Sequence, residues 1–199
     1  DDDAKSGHAI VIGGSIAGML TARVLSDHFA HVTVIERDRF PEEPAFRNGA
    51  PQARHPHALL VRGQQIMETL FPGLGEALLA QGAIPINMGS EMNLSIGAAR
   101  VKPFVSDLVI TACSRPLLEY TIFRQLRALP RISFLDGRNA IGLITDDANA
   151  RVMGIRLQTR GRSEAPVEHL LADLVVDASG RTSQAPEWLA NLGFTPPRQ

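Results

Sequence analysis

Apolar residues follow two distinct rhythms along the start of the chain. Residues 8–12 (HAIVI) are an unbroken apolar run ending at Gly13 and Gly14, the pattern of a strand buried on both faces. From Ile16 to Phe29 the apolar positions Ile16, Met19, Leu20, Val24 and Leu25 recur at helical spacing. Residues 31–36 (HVTVIE) are β-branched and apolar and predict a second strand. Strand, glycine turn, helix and strand therefore follow one another within about 30 residues, the span of a βαβ unit.

Beyond Glu36 the pattern breaks. Arg37 to Pro56 is polar and carries Pro41, Pro44, Pro51 and Pro56, which reads as an irregular excursion, and loops of that length are usually functional. Helical spacing predicts a helix from Ala58 to Leu70, a shorter one near Leu74 to Leu79, and another from about Pro116 to Leu129. Residues 92–112 hold two apolar stretches suited to a small separate sheet. After a strand at 132–135, three alternating runs near 139–146, 151–159 and 167–177 are separated by the turn segments DDANA and RGRSEA, as in an antiparallel meander. The last run, LLADLVVDASG, reads as one strand entering a glycine turn. A short amphipathic piece follows around Trp188, then the tail FTPPRQ.

Composition narrows the class. With 44% apolar and 21% charged residues in 199, the chain is of soluble globular type. A formal net charge of -1 gives no global argument for nucleic acid or an anionic membrane surface. No apolar run is long enough to span a bilayer, and the start (Asp1, Asp2, Asp3) is acidic where a signal peptide would be basic. Cys113 stands alone, so no internal disulfide can form, which fits a reducing cytosol. Its expected role is a small buried hydrophobe.

The segment Gly13 to Gly18 (GGSIAG) carries the chemistry. It follows a strand and opens a helix, the context that a pyrophosphate-binding turn requires. Gly13 permits the tight turn, Ser15 takes the place where backbone must approach a diphosphate, and Gly18 lets helix and strand pack closely. Gly14, Ile16 and Ala17 complete the turn. Amides and the positive dipole end of the helix would hold the anion. Glu36 closes the second strand where a carboxylate meets ribose hydroxyls, and its charge would repel a 2′-phosphate in that site. An ADP-ribose is the expected ligand.

Three further segments make the chain resemble the FAD-dependent monooxygenases and oxidoreductases of the para-hydroxybenzoate hydroxylase type, from Ile10 to about Ser183. RNGAPQARHPHALL (Arg47 to Leu60) resembles the family's Arg-x-Gly stretch after the second strand, which implies that Arg47 lies near the flavin and its diphosphate. The roles of Gln52, His55 and His57 are open, local loop hydrogen bonds being the simplest for the histidines. No ligand set with metal spacing is present in the sequence, so no metal is expected. SRPLLEYTIFRQL (Ser114 to Leu126) resembles the family's Arg-x-x-Leu helix, with Arg115 in the matching position. VVDASGRTS (Val175 to Ser183) resembles the Gly-Ala-Asp-Gly-x-x-Ser loop. Asp177 stands first, Ser179 replaces the motif aspartate, and Gly180 and Ser183 are kept.

The resemblance implies an α/β fold: a Rossmann-like FAD/NAD(P)-binding domain with a parallel sheet, an antiparallel β-meander and part of a substrate domain. Residues 1–80 and 113–183 would form the FAD-binding part, with 81–112 and 184–199 in the substrate domain. It implies FAD as cofactor, NAD(P)H as a candidate electron donor put in doubt by Ser179, and a small organic substrate. The loop from Gly137 to Ala140, with Ala140 foremost, and Arg37 beside Glu36 would meet the adenine end. Enzymes of this type are about twice as long, so the chain is expected to be a fragment or a truncated product. No side chain is a convincing acid, base or nucleophile, and in such proteins the cofactor carries the difficult chemistry. A flavin reductase, dehydrogenase or halogenase on the same scaffold, and a non-catalytic nucleotide-binding module, remain alternatives. Oligomeric state is open.

Overall fold

A computed structural model describes residues 5–55, 57–93, 95–162 and 164–195. The acidic start, Pro56, Ser163 in the second meander turn and the end of the tail lie outside the described residues. The chain divides into two compact units, residues 1–40 with 126–199, and residues 41–125.

The first unit is built on a four-stranded parallel sheet. Its strands are β1 (His8–Ile12), β2 (His31–Glu36), β8 (Ile132–Asp136) and β12 (Leu174–Asp177), in the order β12-β1-β2-β8. Residues 9–12 of β1 and 32–36 of β2 are buried throughout, as the continuous apolar run requires of central parallel strands. Helix α1 (Ile16–Leu25) returns the chain from β1 to β2 and buries Gly18, Met19 and Ala22. It stops at Leu25, short of the expected Phe29, because Ser26 to Phe29 turn back on Ala22, Val24 and Leu25.

The opposite face of the sheet meets the meander β9 (Arg138–Thr145), β10 (Val152–Thr159) and β11 (Glu168–Leu171). Ile10, Ile12 and Ile35 of the sheet pack with Ile155 and Leu157 of β10, and Trp188 of α5 (Ala185–Asn191) packs against the same cluster. Each fully buried side chain of this kind contributes about 1.5–3 kcal/mol. The run 167–177, expected as one strand, is two. The chain leaves the meander at Ala172 and enters the parallel sheet at Leu174. Asp173 makes the changeover: its N–H donates to the carbonyl of His8, and its carboxylate accepts from the His8 N–H at 2.9 Å.

The second unit holds a three-stranded antiparallel sheet in the order β3-β7-β4, from β3 (His57–Leu59), β4 (Ile84–Asn87) and β7 (Val109–Cys113). Helices α2 (Val61–Leu70) and α3 (Leu74–Ala80), the hairpin β5 (Ser95–Ile96) with β6 (Ala99–Arg100), and most of α4 (Arg115–Arg127) complete it. The helix expected from Ala58 begins only at Val61, because His57, Ala58 and Leu59 pair with β7 instead. Glu68 of α2 accepts from the N–H groups of Gly73 (2.6 Å) and Gly75 (2.9 Å), capping the start of α3.

Candidate dinucleotide site

In the first unit the glycine turn joins the end of β1 to the start of α1. Gly13 has φ +106°, and a Cβ there would meet the carbonyl oxygen of Ala178 at 2.5 Å, so both conformation and space demand glycine. A Cβ at Gly18 would collide with the carbonyl oxygen of Gly13 and would also touch Val11. Helix and strand are thus pressed together, which sets the N-terminus of α1 directly against the end of β1. Ser15 stands at the helix N-cap with extended backbone, and Ile16, Ala17 and Gly18 form the first turn. Helix geometry leaves first-turn amides without intrahelical acceptors, and the dipole favours an anion there. This donor set fits a diphosphate.

Glu36 is 6% exposed at the end of β2. Its Oε2 accepts from the Gly14 N–H at 2.8 Å, and its Oε1 from the Asp38 N–H at 2.9 Å. The carboxylate therefore reaches across from the second strand into the turn, where the sequence pattern expects it to meet a ribose. Buried Asp38 is in turn ion-paired with Arg160, whose guanidinium also donates to the Arg37 carbonyl at 3.2 Å. Arg37 itself is exposed. Neither Asp38 nor Arg160 was expected in the site. Asp38 lies only two residues beyond Glu36, but nothing in the sequence pairs it with a residue more than a hundred positions away.

Phe40 also enters without a sequence signal. Its ring occupies the space that a Cβ on Gly14 would take, and it meets Phe134 edge-on with ring centres 5.2 Å apart. Its N–H donates to Asp136 Oδ2 at 3.0 Å, which anchors the loop after β2.

The loop after β12 closes the other side of the turn. Ala178 donates from its N–H to the Ile12 carbonyl at 2.8 Å, and its own carbonyl faces Gly13. Asp177 holds the loop by accepting from the Ser179 N–H at 2.9 Å and from the Ser183 hydroxyl. Gly180 has φ +81°, and both Ser179 and Gly180 are exposed. The DASG loop is thus held by its first aspartate.

Ala140 departs from its expected setting. Gly137 alone, at φ +65°, links β8 to β9, so Ala140 lies within β9 opposite Leu157. Its side chain packs on the Ile10 and Ile155 cluster. The turn is short because β9 begins pairing with β10 at Arg138.

In the second unit Arg47 and Arg115 meet on one carboxylate. Arg47 Nη2 lies 2.7 Å from Glu119 Oε2, and Arg115 Nε lies 2.7 Å from Glu119 Oε1, with all three side chains less than one-fifth exposed. Two cations share one anion at the start of α4, where Ser114 accepts from the Leu117 N–H. Glu119 was missed, although it stands four residues after Arg115, the spacing of a helical ion pair. His57 Nδ1 bonds the carbonyl of His55 at 2.7 Å, a local contact. Among the described residues no group of three or more His, Cys, Asp or Glu is placed to hold a metal ion, and no helix is long and apolar enough to cross a membrane.

No protein-family profile matches the chain. It is 37% identical over 203 residues to Protein Rv3254 of Mycobacterium tuberculosis (strain ATCC 25618 / H37Rv), an alignment that covers 96% of this chain and 42% of that protein. The chain thus spans less than half the length of this relative. Among solved structures it is similar to PqsL of Pseudomonas aeruginosa, in a form with four substitutions (TM-score 0.64, 17% identity, 92% of this chain and 46% of that one). Another structure of that protein is described as "a probable FAD-dependent monooxygenase". The flavin-dependent halogenase CmlS (TM-score 0.64, 21% identity, 94% and 32%) is also similar. So is p-nitrophenol 4-monooxygenase PnpA of Pseudomonas putida DLL-E4 (TM-score 0.65, 17% identity, 93% and 43%). The chain shares the fold of part of each of these proteins, with a parallel sheet and antiparallel sheets in a mixed α/β arrangement.

Proposed function

We propose that this chain is the FAD-binding portion of a flavin-dependent oxidoreductase, a monooxygenase of the para-hydroxybenzoate hydroxylase type acting on a small organic substrate. The observation that carries the reading is the Glu36 carboxylate bonded to the Gly14 amide beside the start of α1. An acidic ribose acceptor and a diphosphate-binding helix end thereby occupy one turn. The fold shared with PqsL, PnpA and CmlS supports flavin over nicotinamide in that turn. CmlS keeps a halogenase as the second reading.

In this reading the amides from Ser15 to Gly18 bind the diphosphate, and Glu36 accepts the ribose hydroxyls. Arg37 and the Ala140 strand flank the adenine. Arg47 and Arg115, bridged by Glu119 within the second unit, keep their proposed role as guanidinium partners of an anion. Ser179 and Gly180 supply loop backbone. When bound, FAD supplies the redox chemistry that no side chain here offers. NAD(P)H is the proposed electron donor, and a reducing cytosol the proposed location.

Purification followed by a visible spectrum tests the reading. Bands near about 370 and 450 nm, the flavin's own absorption, are expected from the protein as isolated or after adding FAD. A colourless protein that binds neither FAD nor NAD would overturn it.

A further inference from the structure

Asn48 and Gly49, in the loop of the second unit, form the one Asn-Gly step of the chain. Asn87, Asn93, Asn139, Asn149 and Asn191 precede Met, Leu, Ala, Ala and Leu instead. Glycine lacks a Cβ, so its backbone nitrogen is the least shielded from the side chain before it. Hydrogen bonds divide these asparagines further. Asn87 Nδ2 donates to the Ser106 carbonyl at 2.6 Å, and its Oδ1 accepts from the N–H groups of Gly89, Ser90 and Ser106. Asn149 Oδ1 accepts from the Thr145 hydroxyl at 2.7 Å. Asn48 is exposed, and its side chain makes no hydrogen bond among the described residues.

Asn48 and Gly49 are the central residues of a turn in which the Ala50 N–H donates to the Arg47 carbonyl at 3.1 Å. Exposed turns of this kind open locally at little cost in free energy. Arg47 is both the first residue of that turn and a partner of Glu119, with its own side chain 7% exposed. Its placement therefore depends on the backbone on either side of Asn48. Asp136, the one aspartate followed by glycine, is held differently: its Oδ2 accepts the Phe40 N–H at 3.0 Å.

We propose that Asn48 is a site of spontaneous deamidation, and that the conversion frees Arg47 from its ion pair with Glu119. The Gly49 nitrogen, on losing its proton, attacks Asn48 Cγ. A carbon–nitrogen bond closes a succinimide ring, and Nδ2 leaves as ammonia with the proton that Gly49 released. Water then opens the ring at either carbonyl, giving aspartate or isoaspartate; water is the only co-reactant and nothing is oxidised or reduced. Isoaspartate carries the main chain through the former side chain and adds a methylene inside the turn, so the Arg47 to Ala50 bond no longer closes. The new carboxylate, one residue from Arg47, also competes with Glu119 for the guanidinium. Every group involved belongs to the second unit, whichever cofactor the chain binds.

The test is peptide mapping by mass spectrometry of the folded protein and of the chain unfolded in urea, both aged in mildly alkaline buffer. In the folded protein the Asn48 peptide should gain the mass of an amide-to-acid exchange, at a rate within about tenfold of the unfolded chain. The Asn87 and Asn149 peptides should lag behind it by about tenfold or more. An isoaspartyl methyltransferase should then transfer a methyl group to the Asn48 peptide. Asn48→Gln, which would have to close a larger ring, should remove the signal and keep the melting temperature of fresh protein; Asn48→Ser serves if Gln disturbs the turn. Phenylglyoxal, an arginine reagent, should label Arg47 in converted protein and spare it in fresh protein and in aged Asn48→Gln. Conversion in urea alone would overturn the proposal, because the folded turn would then protect Asn48. So would conversion of Asn87 or Asn139 ahead of Asn48. Full conversion with Arg47 still unlabelled would overturn its release from Glu119.

Discussion

The carboxylate of Glu36 accepts the backbone N–H of Gly14 at 2.8 Å, joining the end of the second strand to the turn that follows the first. Its other oxygen accepts from Asp38 at 2.9 Å, so one buried side chain holds two backbone segments in register. Both are charge-assisted hydrogen bonds, worth about 1.5–3 kcal/mol each where burial limits competition from water.

Glu36→Gln tests this arrangement without changing its volume. The amide nitrogen of Gln must face one of the two N–H donors, so one bond is lost. FAD affinity, followed by fluorescence titration, should fall by about tenfold or more, with a decrease in melting temperature of only a few degrees. Undiminished FAD affinity in Glu36→Gln would remove Glu36 from the site. Gly13→Val is a poorer probe than its motif position suggests: at φ +106° and against the Ala178 carbonyl it strains the fold itself.

Local pattern predicted the βαβ unit and the fingerprint residues, because buried parallel strands and an amphipathic helix write their periods directly into sequence. The errors arose where partners are remote. Ala58 and Leu59 read as helix until β7 pairs with them. Ala140 reads as loop until β10 pairs with it. Asp173 is one polar residue in an apolar run, yet its two bonds to His8 end one strand and start another. Phe40 over Gly14 and Arg160 on Asp38 are contacts across the fold that no spacing encodes.

The second unit has its own test at Glu119. Its carboxylate lies 2.7 Å from Arg47 and 2.7 Å from Arg115, and the carboxylate and Arg47 side chains are less than one-tenth exposed. Glu119→Ala leaves both guanidiniums without their shared anion, a loss of the kind that costs about 3–5 kcal/mol. The urea midpoint should drop accordingly with an unchanged slope. A shift within a few tenths of a kcal/mol would show that other contacts neutralise the arginines.

At the far end of the parallel sheet a polar chain links two histidines. His8 Nδ1 lies 2.8 Å from the Leu171 carbonyl and so donates, and its Nε2 lies 2.8 Å from Thr33 Oγ1. Thr33 Oγ1 also lies 3.1 Å from Ser133 Oγ, which in turn lies 2.9 Å from His31 Nε2. Burial and, to a smaller extent, the charge of His8 push the His31 pKa below its ordinary 6.5. The unfolded chain therefore binds a proton more readily than the folded one between that lowered value and 6.5. Stability is full above about pH 6.5 and declines as pH falls toward the lowered pKa. Urea unfolding at pH 7.5 and 5.5 should show this loss, and His31→Asn should flatten it. An equal loss in His31→Asn would assign it to other groups.

Arg160 separates positioning of the proposed cofactor's adenosine end from general stability. Its guanidinium holds the Asp38 carboxylate and the Arg37 carbonyl, and the Asp38 N–H in turn bonds Glu36, so removing it should loosen the ribose acceptor and leave the diphosphate turn intact. Arg160→Ala is expected to weaken FAD by about tenfold and to leave any FMN binding unchanged, because FMN lacks the adenosine that Glu36 would meet. Arg160→Lys, which restores the charge but not the fork, should recover part of the difference. Parallel losses for FAD and FMN, with a lowered melting temperature, would make Arg160 a structural residue. Unchanged FAD binding would show that Asp38 and Glu36 keep their places without it.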